Sequence, residues 1–235
     1  MLGLGSNLTK GGAGAKTIVT DNLVLKHNYS RGQVHQVSTG AAFFDGTDDY
    51  IDLENLSTWD FINNFSLGAW IYGVGSDSYN AIISNYETNK GWDLILSSGV
   101  LRMECNGSST IDTGGYPGSD LRDNKWHYVS ATCTTSAINI YVDGVLQETL
   151  AGTWTPTTTS SVNTYIGKRA DVTTFNGYIC NVGIWDAVLT QTQIKSIMWK
   201  KYSDLTSSET TDLVSWYNLS ADANDSHGSN NGTLS

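Results

Sequence analysis

The chain has 235 residues, a net charge of −10 and only 15% charged side chains. Lys195, Lys200 and Lys201 make the only small basic cluster, too little to hold a polyanion against that charge, so nucleic-acid binding is excluded. Plentiful glycine (24) and aromatics (8 Trp, 12 Tyr, 5 Phe) with only 2 Pro favour many short strands joined by polar turns over helices.

Residues 1–20 form an arm rich in Gly, Ala, Ser and Thr, including Gly11-Gly12-Ala13-Gly14. Alone it buries too little apolar area to fold, so it is expected to anchor on its own domain or, preferably, on a neighbouring chain. It lacks the basic-then-apolar pattern of a secretion signal, and no apolar stretch reaches membrane-spanning length. Synthesis in the cytosol and no membrane partner are therefore expected. Cys105, Cys133 and Cys180 are far apart, odd in number and without a CxxC pair, which suits buried free thiols in a reducing compartment rather than zinc.

A first strand is predicted at Leu23-Val24-Leu25, and Ser38–Phe44 leads into AAFFDGTDDYIDL, Ala41–Leu53. Asp45-Gly46 between two apolar runs predicts a hairpin turn. Asp45, Asp48, Asp49 and Asp52 cluster there. Asp45, Asp48 and Asp49 are the candidate ligands of a structural calcium ion, a hard cation that takes oxygen donors. Asp also closes turns on its own backbone, and that plainer role ranks ahead; no cofactor is required.

Phe65–Val74 alternates, with Phe65, Leu67, Ala69 and Ile71 on one face and Trp70 and Tyr72 on the other. Strands follow at Ala81–Ser84, Trp92–Ser97 and Val100–Cys105. In Trp126–Cys133, His127, Val129, Ala131 and Cys133 share a face, which makes Cys133 a packed core thiol. Ala137–Val142 and Val145–Leu150 flank Asp143-Gly144, a second predicted hairpin. Further strands are predicted at Thr164–Gly167 and Gly177–Trp185. The one helix is predicted over Thr190–Tyr202, opened by a Thr190/Gln193 capping box and docked by Ile194, Ile197 and Met198. TDNLVLKHNYS at 20–30 echoes TTDLVSWYNLS at 210–220, so the last segment repeats an opening strand.

Six motifs in order, FDGTDDYI (44–51), FSLGAW (65–70), KWHYV (125–129), IYVDG (140–144), YIG (165–167) and FNGYI (175–179), resemble the laminin-G-like jelly roll of the concanavalin A-like lectin/glucanase superfamily. The resemblance spans about 23–202. It implies an all-β fold, a two-sheet antiparallel jelly-roll sandwich with one short C-terminal helix. The expected organisation is an anchoring arm at 1–20, the jelly roll at 21–203, and an extension at 204–235 that is similar to the start of another unit. In related domains an acidic residue after the Phe-Asn-Gly-Tyr-Ile strand adds to the calcium site; here Cys180-Asn181 stands there, which counts against calcium.

Glucanases on this fold carry alternating acidic residues on one strand. Glu54, Glu87, Glu104, Glu148 and Glu209 are isolated here, so no enzyme activity is expected. His27, His35, His127 and His227 have no metal or triad spacing. Sugar stacking would use exposed rings, and Tyr79, Tyr86, Tyr116 and Trp154, in segments that read as loops, are the carbohydrate candidates. The sequence style resembles virion proteins of tailed phages. The first expectation is therefore a capsid decoration or other particle-surface module on the virion, a homo-oligomer taken as a trimer, partnered by other virion proteins and made in the host cytoplasm. The alternative is an adhesin, a tail-fibre or surface lectin that binds host glycans.

Overall fold

The computed structural model describes residues 25–28, 33–36, 40–61, 63–87, 90–106, 111–112, 120–152, 162–170 and 174–235. The chain runs through β1 (Leu25–Asn28), β2 (Gln33–Gln36), β3 (Ala42–Asp45), β4 (Ile51–Asp52), β5 (Phe65–Gly73) and β6 (Tyr79–Glu87). It continues through β7 (Lys90–Ser97), β8 (Val100–Asn106), β9 (Ile111–Asp112), β10 (Trp126–Cys133), β11 (Ala137–Val142) and β12 (Val145–Ala151). The last elements are β13 (Tyr165–Ile166), β14 (Asn176–Trp185), α1 (Gln191–Ile197), β15 (Leu213–Tyr217) and β16 (Thr233–Leu234). The arm at 1–20 lies outside the described residues.

Two antiparallel sheets form a sandwich, as the all-β expectation requires. The first has the order β12-β11-β10-β5-β14-β15, with β3 also on β14; the second has the order β16-β4-β13-β6-β7-β8-β9. Alternation decides the core. Phe65, Leu67, Ala69 and Ile71 of β5 face Ile83, Trp92, Leu94 and Met103 of the second sheet inside one apolar cluster. Trp70, on the opposite face of β5, belongs to a second cluster beneath α1 with Trp185, Ile194, Ile197 and Trp216.

The Asp45-Gly46 turn is not a hairpin. β3 pairs with β14 in the first sheet, whereas β4 pairs with β13 and β16 in the second, so the acidic turn carries the chain across the sandwich. Phe44 and Ile51 both point into the common core, which two strands of one hairpin in the expected register would not need to do from opposite layers. Asp143-Gly144 is the hairpin the sequence predicts, with φ of 51° and 73°, the left-handed pair of a two-residue turn. His127 links that turn to β10, its ring nitrogens lying 3.0 Å from Asp143 and 3.2 Å from Asp123.

The helix is shorter than predicted. Thr190 and Gln193 make the reciprocal capping box, but α1 stops at Ile197. The Trp70 indole then donates to the Met198 carbonyl at 2.6 Å and satisfies an acceptor at the helix end.

The segment 204–235 supplies strands to both layers. β15 takes the edge of β14 in line with β3, and β16 pairs with β4. Asp225 ties this segment together. Its carboxylate accepts from Ser215 Oγ (2.9 Å), Trp216 N (3.0 Å), His227 N (3.0 Å) and Asn230 N (3.2 Å). The two halves of the sequence echo differ: Leu25–Asn28 pairs with β2 in a separate ribbon, while Leu213–Tyr217 lies in the first sheet.

Candidate functional site

In the second sheet one register row of polar residues crosses all seven strands. Register aligns Thr233 with Asp52, Asp52 with Tyr165, Tyr165 with Ser84, Ser84 with Asp93, Asp93 with Glu104, and Glu104 with Asp112. The cause is period-two alternation. Ile51, Ile166, Ile83, Leu94 and Met103, each adjacent in sequence to a rung residue, point into the core and turn their polar neighbours outward.

Charges and rings interlock on this face. Arg169, from the segment after β13, places its guanidinium 3.5 Å from the centroid of the Tyr86 ring. Its Nε is 3.3 Å from Asp93 and its Nη1 is 3.6 Å from Glu104. Arg102 lies 3.6 Å from the other oxygen of Glu104. Asp93 is fully buried, whereas the side chains of Arg169, Glu104 and Arg102 keep 11%, 12% and 20% of their surface, so the network is largely withdrawn from solvent. Farther along, Lys168 Nζ sits 3.8 Å above the Tyr50 ring, and Tyr50 meets Tyr165 edge-on at 5.5 Å. Asn163 Nδ2 donates to both oxygens of Asp52 at 2.9 Å. Burial, with the charge of Asp52 adding to it, pushes the Tyr165 phenol up and keeps it a neutral donor. The Ser84 hydroxyl is buried between Tyr165 and Asp93 with no hydrogen-bond partner among the described residues.

Among the described side chains, Asp52, Asp93 and Glu104 are matched in number by Arg102, Lys168 and Arg169, three carboxylates against three cations on a chain of net −10. Hydroxyls, carboxylates and guanidinium groups beside tyrosine rings are the donor, acceptor and stacking groups that a polyol uses. Asp93 and Glu104 are cross-strand neighbours, but one guanidinium bridges them. This arrangement holds polar groups in place and offers no separate acid and nucleophile.

The predicted site residues are dispersed. Tyr86 belongs to the polar face. Tyr79 lies at the far end of the same strand and is 44% exposed. Both were expected in loops, but they lie on β6, because that strand extends beyond Ala81–Ser84 on both sides to pair with β7 over its whole length. Tyr116 and Trp154 lie outside the described residues. Asp45, Asp48 and Asp49 do come together, with one carboxylate oxygen of each within 4.8 Å of the others. However, Asp45 Oδ1 accepts from the amides of Thr47 (2.7 Å) and Asp48 (3.4 Å), and Asp49 Oδ2 accepts from Asp45 N (2.9 Å). The turn thus uses one oxygen each of Asp45 and Asp49 to close on its own amides. Asn181 is the residue of a bulge in β14, with φ of 49°, and its amide donates to Asn218 O.

Asp93, Arg102, Glu104, Tyr165 and Arg169 were not anticipated. A signal existed in Trp92-Asp93-Leu94 and Met103-Glu104-Cys105, where an acid stands inside an apolar strand. The outer face of the first sheet holds another unanticipated feature, a ladder of Trp126, Tyr72, Tyr178 and Phe43 aligned across β10, β5, β14 and β3. Centroids are 5.7, 5.9 and 5.0 Å apart, but the planes are inclined by 59°, 79° and 51°, so the rings pack on one another rather than forming a flat platform.

A family model described as the concanavalin A-like lectin/glucanases superfamily, laminin-G type, matches residues 45–195, well over half the chain. The protein belongs to that superfamily. Among solved structures it is similar to a candidate carbohydrate-binding protein from Bacteroides ovatus, with TM-score 0.63 and 20% identity over 81% of this chain and 56% of that one. It is also similar to the CBM40 domain of the Ruminococcus gnavus IT-sialidase, solved alone and with sialyllactose (TM-score 0.56, 13% identity, 68% and 96% covered). Domain 4 of the arabinanase AbnA from Geobacillus stearothermophilus, solved with arabinotriose, aligns with TM-score 0.55 and 16% identity over 71% of this chain and 82% of the domain. At these identities the likeness shows the fold. The chain spans little more than half the length of the Bacteroides protein. No curated protein sequence matches the chain.

Proposed function

We propose that this chain is a non-catalytic carbohydrate-binding module that takes a neutral saccharide on the outer face of its second sheet. The observation that carries the proposal is the polar rung, with the Tyr86–Arg169–Asp93–Glu104–Arg102 network at one side and Tyr50, Tyr165 and Lys168 at the other. The ring faces that Arg169 and Lys168 leave uncovered offer stacking surface, and the bridged carboxylates and guanidinium groups offer fixed acceptors and donors for sugar hydroxyls. Charge balance favours a neutral ligand, since both guanidinium groups already face carboxylates. The fold likeness to modules solved with bound oligosaccharides supports binding in general and does not choose the sugar.

This reading puts the glycan-binding alternative ahead of the purely structural virion role. The particle-surface setting, with the arm at 1–20 as anchor and a trimeric assembly, belongs to the proposal as the place where an adhesin would act. It rests on the style of the sequence alone. The test is a saccharide panel, neutral and anionic, titrated by calorimetry against the full chain and against Tyr86→Ala. Binding of a neutral oligosaccharide that weakens in the variant is expected. A panel with no binder, or one whose binding is unchanged in Tyr86→Ala, would overturn it.

A further inference from the structure

Two of the three free cysteines face each other across the sandwich. Cys105 is on β8 of the second sheet and Cys133 on β10 of the first, both are fully buried, and their Sγ atoms are 3.4 Å apart. Alternation puts both thiols inward, Cys105 beside Met103 and Cys133 beside Ala131 in the apolar cluster. Cys180 lies on the other side of the first sheet, in the cluster beneath α1. The contact is therefore between two layers that no other covalent bond joins among the described residues, and it brings together positions 28 residues apart.

We propose that Cys105 and Cys133 are a cross-sheet dithiol that closes to a disulfide when the chain folds in the presence of a small disulfide oxidant. One cysteine thiolate attacks the oxidant's sulfur–sulfur bond and releases one oxidant thiol. The second cysteine attacks the mixed disulfide and releases the other. The two cysteines lose two protons and two electrons, and the oxidant is reduced to two thiols. Closing the contact to bonding length brings the two sulfurs about 1.4 Å nearer, and both thiols already meet in the same gap. In the finished fold the pair is slow to react. Burial, with the neighbouring thiol and the charges of Asp93 and Glu104 adding to it, pushes the Cys105 thiol up, away from the reactive thiolate. The bond is thus set during folding, and the chain carries a stabilising link that a reducing compartment leaves open.

The full chain, unfolded with reductant, is refolded with glutathione disulfide or with reduced glutathione only, then unfolded and alkylated. Intact mass should show one alkylated cysteine, mapped to Cys180, after the first treatment and three after the second. The oxidised form should melt about 10 °C higher, from the loop it closes and the size of the chain. Cys133→Ala should show two alkylated thiols under both conditions and no difference in melting; if that variant does not fold, the wild-type count decides alone. Three alkylated thiols after oxidative refolding, or a bond that includes Cys180, would overturn the proposal.

Discussion

The two sheets share one core but turn unlike faces outward. The first sheet is capped by α1 over Trp70, Trp185 and Trp216, and where the helix ends its remaining face carries the tilted ladder of Phe43, Tyr178, Tyr72 and Trp126. The outer face of the second sheet carries the carboxylates, guanidinium groups and tyrosines of β4, β6, β7, β8, β13 and the segment after β13. The helix-covered part of the first face is spent on stability, whereas the second holds buried and half-buried ion pairs that well-packed apolar residues, replacing the whole network, would match at little or no loss of stability. The proposed binding surface rests on the polar groups kept in that position, and mutations on the two faces should separate fold from binding.

The largest effect belongs to the apolar face. Trp216→Ala removes a fully buried ring that packs on Trp185 at 6.1 Å and should cost about 3–5 kcal/mol of unfolding free energy, read by denaturant titration. Next comes Asp225→Ala, which strips the acceptor from the amide of Trp216 near the end of β15 and from those of His227 and Asn230 in the turn beyond it. About 2–4 kcal/mol is expected to be lost in the same measurement. The loss is pH-dependent. Burial opposes the charged form, but the amides of Trp216, Gly228 and His227 and the Ser215 hydroxyl outweigh it and hold the carboxyl below its ordinary range. A lowered folded value contributes stability above about pH 4 and loses it as pH falls through that value, so the acid limb of the wild type should flatten in Asp225→Asn.

On the polar face the order reverses. Tyr86→Ala should weaken saccharide binding about tenfold while changing stability by less than about 1 kcal/mol, measured by calorimetry and by thermal melting of the same sample. Tyr178→Ala, on the aromatic ladder, should leave binding unchanged. The reverse result would move the site to the first sheet. The smallest effect is expected at His127. Hydrogen bonding to Asp143, offset by burial and reinforced by Asp123, holds its imidazole above the usual range. Its contribution is full below about pH 6.5 and is lost as pH rises through the folded value. His127→Gln should therefore cost about 1 kcal/mol on the acid side and less under alkaline conditions.

The elements of the sandwich were legible because each rests on a local rule. Alternation marks β5, β10 and β11, Asp143-Gly144 marks a turn with two left-handed residues, and Thr190/Gln193 marks a helix start. Asp45-Gly46 satisfied the same turn rule and misled, because a turn residue does not say which strands will pair. Phe44 and Ile51 pack into the core from opposite layers, and that packing overrides the hairpin. The candidate site was less legible. Tyr86 stood out as an aromatic, but Asp93, Glu104 and Arg169 are 11 to 76 positions apart and meet only through strand register.

By itself the sequence determined the class of fold, since period-two burial, turn chemistry and six ordered motifs are all short-range properties of the chain. Tertiary structure alone decided that Leu213–Tyr217 and Thr233–Leu234 belong to the two sheets, and that one rung of the second sheet is polar from edge to edge. The physical reason is that strand register and edge pairing are set by which faces must be buried together, a condition that no single segment carries.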